Sequence, residues 1–201
     1  MGGTVNTNQL IVNGIFGGDG NDCPLDGITG NDANDASELN IITELLDIND
    51  GASISSQGGN LTGTNFFDSG GGHGGTLNIS VNLLYFDGKI SVDGGRHAGA
   101  NLYGDGGNAG RLYLSSQENL DINGTISIKG GAASSGRCDS SRGGYRGSGG
   151  EAIIRGNNIT VKSTLSADRG WEGGCNDGYG GNFTFISSEI LNITGTINQE
   201  G

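Results

Sequence analysis

Few residues of this chain have the types and spacing to do chemistry, and most of those are Asp and Asn. Gly17-Gly-Asp-Gly-Asn-Asp22 matches the opening of a Gly-Gly-x-Gly-x-Asp calcium-binding repeat. Calcium takes six to eight oxygen ligands, which carboxylates and backbone carbonyls supply. Asp19, Asn21, Asp22, Asp26, Asp32 and Asp35 are the candidate ligands, all in one acidic stretch. Pro24 stands where the repeat wants an apolar residue, and no tandem copy follows. An ordinary acidic, Asx-rich turn is the competing reading, and calcium is the one cofactor the sequence raises.

Other candidates are sparser. Asp50, Asp87 and Asp121 recur at similar phase and could form the carboxylate cluster of a polysaccharide-active enzyme. No base accompanies them, and each lies beside a turn, where Asp is favoured for structural reasons. His73 and His97 sit in Gly-rich segments with no Ser or Cys partner in a recognisable motif. Cys23, Cys138 and Cys175 form no CxxC pair and no zinc-type cluster, so at most one internal disulfide exists. Six N-x-Ser/Thr sequons, at Asn60, Asn78, Asn123, Asn158, Asn182 and Asn192, are candidate glycosylation sites in a secreted protein. Outward Asn and Thr on strands explain the same pattern without any sugar.

Composition limits the elements that could position these groups. Of 201 residues 43 are Gly and one is Pro, so Gly runs at roughly three times ordinary usage. Without a three-residue period this excludes collagen, and recurrent Ile, Leu and Val argue against disorder. No stretch approaches the length of about 18 apolar residues that spans a bilayer, and no signal-peptide pattern opens the chain. The net charge is −12. Residues 1–88 carry eleven acids and no Lys or Arg, which disfavours nucleic acid and anionic membranes as partners.

A repeat near 36 residues organises the chain. One apolar column reads Leu10, Leu46, Leu84, Leu120, Ile159, Leu191. A second reads Val12, Ile48, Phe86, Ile122, Val161, Ile193, and a third Phe16, Ile54, Ile90, Ile126, Leu165, Ile197. Within each copy apolar and polar residues alternate, the period of a strand with one buried face. Leu39, Ile42, Leu45 and Leu46 would also fit a helical face, but the columns assign them to strand. Helix-free copies in register bury their apolar faces by stacking, which predicts a parallel β-solenoid of about six coils. Right-handed winding is expected from the general crossover preference. Residues 1–201 form one domain, with 1–39 an irregular first coil and 40–201 the regular repeats. Gly75, Gly110, Gly150 and Gly181 each close a Gly-rich return directly before a strand. Gly lets the returns turn sharply and stack closely, although some of these long returns are expected to be mobile.

Gly74-Gly-Thr-Leu-Asn-Ile79, Asn123-Gly-Thr-Ile-Ser-Ile128 and Asn192-Ile-Thr-Gly-Thr-Ile197 resemble the Gly-rich parallel β-helix repeats of large microbial adhesin-like surface proteins. The resemblance covers residues 40–201 well and 1–39 loosely. It implies an extracellular or cell-surface location, an attachment or structural role, and no catalytic residues.

Stacking also brings distant groups together. Cys138 and Cys175 fall in adjacent returns at nearly the same phase, so stacked coils would place them within disulfide range, with Cys23 free. The outward pairs Ser53/Ser55, Lys89/Ser91, Thr125/Ser127, Thr164/Ser166 and Thr196/Asn198 are the candidate face of an ice-binding solenoid. Lys89 and the methyl-free Ser column spoil that face. Uncapped coils at either end predict that the chain belongs to a longer repeat protein or stacks head to tail on copies of itself. Arg137, Arg142, Arg146 and Arg169 would then meet the acidic first half of the next copy. The expectation is a non-catalytic extracellular filament subunit or adhesin stalk, open to a glycan or surface ligand. A polysaccharide-active enzyme and an ice-binding solenoid are the alternatives.

Overall fold

A computed structural model describes residues 3–13, 15–17, 20, 23–24, 33–62, 69–97, 104–133, 144–171 and 177–201. Every described element is a strand. The first winding has β1 (Gly3–Val12), β2 (Ile15–Gly17) and β3 (Cys23–Pro24), and the second β4 (Leu39–Ile48), β5 (Ser53–Ser55), β6 (Leu61–Thr62) and β7 (Ser69–Gly70). The third has β8 (Thr76–Phe86), β9 (Lys89–Ser91) and β10 (Gly104–Asp105), and the fourth β11 (Arg111–Ser116), β12 (Leu120–Ile122) and β13 (Thr125–Ser127). β14 (Glu151–Val161) and β15 (Thr164–Ser166) make the fifth, and β16 (Asn182–Ile193) and β17 (Thr196–Asn198) the sixth.

All pairings are parallel and join one winding to the next, as a β-solenoid requires. The long strands stack as β1, β4, β8, the β11–β12 pair, β14 and β16, and the short ones as β2, β5, β9, β13, β15 and β17. Each ladder therefore has six rungs. Four of them, begun by β4, β8, β11 and β14, are covered on both sides, so the described stack amounts to about four turns, fewer than the six coils expected from the columns. Leu39–Ile48 is strand throughout, as the columns require and the helical spacing does not.

The columns explain the core. Leu120 is in register with Leu84 on one side and Ile159 on the other. Leu10, Leu46 and Leu191 extend that line. Ile48, Phe86, Ile122 and Val161 form the second column, and Ile54, Ile90, Ile126 and Leu165 the third, all buried. Each such residue removes its own apolar surface from water, worth roughly 1.5–3 kcal/mol apiece.

The returns obey a different rule. Gly59 N–H donates to Asn34 O, Gly72 to Gly59, Gly95 to Gly72 and Gly107 to Gly95. Gly131 then donates to Gly107, Gly147 to Gly131 and Gly170 to Gly147, each bond 2.8 to 3.0 Å long. One hydrogen-bonded zigzag thus runs along the solenoid axis, alternating between limbs that leave the short strands and limbs that re-enter the long ones. Other N–H groups bond like to like: Gly58 to Asp93 O, Gly94 to Lys129 O, Gly71 to Asp105 O and Gly106 to Tyr145 O. Backbone packs here directly on backbone. A Cβ on Gly107 would overlap the Gly72 carbonyl, and one on Gly131 the Gly95 carbonyl. The described limbs of the returns are tied to neighbouring windings by these backbone bonds. Gly51, in the turn between β4 and β5, is the glycine required for its conformation, at φ 76°.

Candidate functional site

Polar ladders run along the outside of the windings, and three of them order the residues around the short strands, the re-entrant limbs and the turns. The first grows from the alternation of the short strands. Ile54, Ile90, Ile126 and Leu165 point inward, so Ser55, Ser91, Ser127 and Ser166 point away from the core, yet all four are buried. Side chains two residues further along cover them. Gln57 Nε2 donates to Ser91 Oγ at 2.6 Å. Asp93 accepts from Ser91 Oγ at 2.7 Å, Ser127 Oγ at 2.6 Å and the Lys129 N–H at 2.7 Å. Asp168 accepts from Ser166 Oγ and from the Glu200 N–H, with Lys129 Nζ at 3.6 Å. Burial alone would raise the Asp168 pKa, but these donors and the lysine charge outweigh it and hold it below the ordinary value. This arrangement removes the serine column from the flat hydroxyl face considered for ice binding.

A second ladder lies on the re-entrant limbs and has a direction. The His73 N–H donates to Asp35 Oδ1 at 2.7 Å, and the Asn108 N–H to His73 Nδ1 at 2.9 Å. Ser148 N–H donates to Asn108 Oδ1 at 2.9 Å, and Tyr179 N–H to Ser148 Oγ at 3.1 Å. Each side chain thus accepts the main-chain proton of the next winding. Asp35 and His73, candidates for chemistry on sequence grounds, both act as acceptors in this ladder. The third ladder is at the turns, where Asn49 Nδ2 reaches Asn13 Oδ1 at 2.7 Å and Asn123 Nδ2 reaches Asp87 Oδ1 at 3.1 Å.

The carboxylate cluster does not assemble. Asp121 is in register with Tyr85, which pairs with Asp47, whereas Asp87 bonds Asn123 in the turn ladder. Asp50 follows the ladder residue Asn49 and is exposed. Similar phase in sequence hides a shift of one or two residues around the turn, which moves a side chain to another column. Asp121 has Lys162 Nζ at 3.8 Å.

His97 is buried on an outgoing limb, its N–H donating to Ala132 O at 2.9 Å. A side chain on Gly104 would collide with its ring, so Gly104 makes the space for it. Burial lowers the His97 pKa, outweighing a hydrogen bond to its own main chain and attraction from Asp105.

Of the candidate calcium ligands, Asp19, Asn21, Asp22, Asp26 and Asp32 lie outside the described residues. Among the described residues no three His, Cys, Asp or Glu side chains gather as a metal would require. Cys138 and Cys175 also lie outside them. The sequons fall in different settings. Asn182 and Asn192 are exposed on β16, and Asn123 is exposed in the turn ladder. Asn60 Oδ1 accepts the Arg96 N–H at 3.0 Å, and Asn78 Nδ2 donates to Asn40 Oδ1 at 2.7 Å. Asn158 Nδ2 donates to Asn119 Oδ1 at 2.8 Å and to Glu189 Oε2 at 3.0 Å. Of the four arginines expected at an interface, Arg137 and Arg142 are outside the described residues. Arg146 and Arg169 each lie 3.2 Å from a carboxylate oxygen of Asp177.

The sixth winding exposes apolar side chains at positions that earlier windings bury. On β16, Ile190 is 61% exposed, Leu191 45% and Ile193 40%, although Leu191 and Ile193 continue buried columns. Phe183 and Phe185 stack with ring centroids 6.4 Å apart, packed against the core cluster on one side. Among the described residues no helix is long and apolar enough to cross a membrane. Compared with protein-family models, with curated proteins and with solved structures, the chain shows no match.

Proposed function

We propose that this chain is a structural or adhesive β-solenoid segment that works outside the cell and carries no catalytic machinery. The observation that supports the reading most is the surface of the sixth winding. Leu191 and Ile193 stand in line with the core columns and yet are exposed, so a further winding is the surface's natural cover. A second copy of this chain or further windings of a longer repeat protein would supply it, in the manner of an adhesin-like stalk. Stacking of this kind is head to tail, does not close, and extends a rod. On the same reading, Cys138–Cys175 is a disulfide between adjacent returns, the acidic stretch around Asp19–Asp35 takes calcium, and exposed sequons carry sugar.

Size-exclusion chromatography with negative-stain electron microscopy tests the self-stacking form. Rods that lengthen with protein concentration, and that Leu191→Glu abolishes, are expected. A monomer that persists over a wide concentration range overturns it. Alkylation before and after reduction, read by mass spectrometry, tests the disulfide.

A further inference from the structure

We propose that the trough on the outer face of the long-strand sheet binds a neutral oligosaccharide lying along the solenoid axis. Two outward columns form it. In one, Ile42, Ser80, Ser115 and Arg155 follow each other rung by rung, and the two serines leave a depression between the longer ends. The neighbouring column, Asn40, Asn78, Tyr113 and Ile153, makes the wall. The cavity holds about 430 Å³, within the range of small-ligand sites. It reaches from Thr4 on the first rung to Ile153 and Arg155 on the fifth. With strands about 4.8 Å apart that is a length of about 19 Å.

Some of its polar groups are fixed by one another and others are left over. Glu38 Oε1 accepts from Asn40 Nδ2 and Asn78 Nδ2, both at 3.1 Å, and Asn40 Oδ1 accepts from Asn78 Nδ2 at 2.7 Å. Those bonds fix the two amide planes. A third Asn would continue the ladder, but Tyr113 stands in its place, so Asn78 Oδ1 has no donor among the described residues. The hydroxyls of Thr4, Ser80, Ser115 and Tyr113, and the guanidinium of Arg155, likewise make no side-chain hydrogen bond or ion pair among the described residues.

Charge selects the occupant. Glu38 borders the wall with its Oε1 taken up by the two amides, and no carboxylate is among the lining residues themselves, so a basic peptide finds no row of acids along the trough. A polyanion meets a single guanidinium on a chain of net charge −12. What remains is a neutral ligand with an apolar face for the Tyr113 ring, Ile42 and Ile153, and hydroxyls for the amides and serines. A pyranose chain has that amphipathic surface. The inference names a ligand for the adhesive side of the proposed function and rests on that reading only there.

Isothermal titration of the full chain with cellohexaose, mannohexaose and hexagalacturonate provides the test, with the oligomeric state recorded separately so that lost assembly and lost binding are told apart. Binding of a neutral hexasaccharide is expected, weakened at least about tenfold by Tyr113→Ala and less by Asn78→Ala. Tyr85→Ala, which removes an exposed tyrosine outside the trough, should leave it unchanged. Circular dichroism of each variant guards against loss of fold. Binding of neither neutral sugar, binding of hexagalacturonate alone, or equal losses in the two tyrosine variants overturns the proposal.

Discussion

The long-strand sheet and the Gly-rich returns wind around the same axis but are held by opposite means. In the sheet the rungs are paired strand to strand, and the side chains add stability by filling the interior of the coil, which keeps facing backbones apart. In the returns the backbones themselves touch, and stability depends on that space being absent. Leu120 and Gly107 stand for the two regimes: one is valuable for its side chain, the other for having none. Conformational freedom is a secondary matter for the Gly of the returns; the requirement is close approach.

Substitutions should separate the regimes. Gly107→Ala pushes a methyl into the Gly72 carbonyl, where no flexible side chain can yield, and an expected loss of about 4 kcal/mol or more places it among the exceptional changes. Leu120→Ala should cost about 2–5 kcal/mol by leaving a cavity in the first column. Urea denaturation midpoints measure both. Gly3→Ala, with open space around it, serves as the control and should stay within about 0.5 kcal/mol. Equal effects of Gly107→Ala and Gly3→Ala would break the comparison.

Smaller effects sharpen it. Asp93→Ala strips an acceptor from Ser91, Ser127 and the Lys129 N–H, for an expected loss of about 1–3 kcal/mol in the same assay. Gly51→Ala should cost about 1–2 kcal/mol through its left-handed backbone alone, since no atom blocks a side chain there.

Acid should act least steeply, in two windows. Because His97 is depressed in the folded state, the unfolded chain takes up that proton first. Stability therefore falls as pH drops below the ordinary histidine value of 6.5 and levels off below the folded one, a slope that His97→Gln should remove. Asp168 is also depressed, and it contributes stability above the ordinary Asp value of 3.8. That contribution is lost as pH falls through its lower folded value. Thermal melts between pH 7.5 and 2.5 check both signs.

The aliphatic columns were legible in the sequence because two periods coincide: alternation along each strand and return after about 36 residues. Every neighbour relation among Leu84, Leu120 and Ile159 follows from those two. The Gly lattice was legible only as an enrichment before strands at Gly75, Gly110, Gly150 and Gly181. A glycine carries no pattern that tells which backbone it will touch. Alternation also placed Ser91 and Ser127 on the outside correctly, but it could not show Asp93 folding back to cover them. The Asp50, Asp87 and Asp121 grouping failed for a related reason, since phase is ambiguous across a turn and one residue decides the column. The trough left a fainter trace, because the ladder break at Tyr113 is visible only once Asn40 and Asn78 are known to stack.

Amide hydrogen exchange by NMR tests the central claim most directly. If the returns are a backbone lattice continuous with the sheet, the amides of Gly72, Gly95, Gly107, Gly131 and Gly147 will exchange as slowly as that of Ile122 in the core. Exchange at unstructured-chain rates in those glycines, beside protected strands, would contradict it.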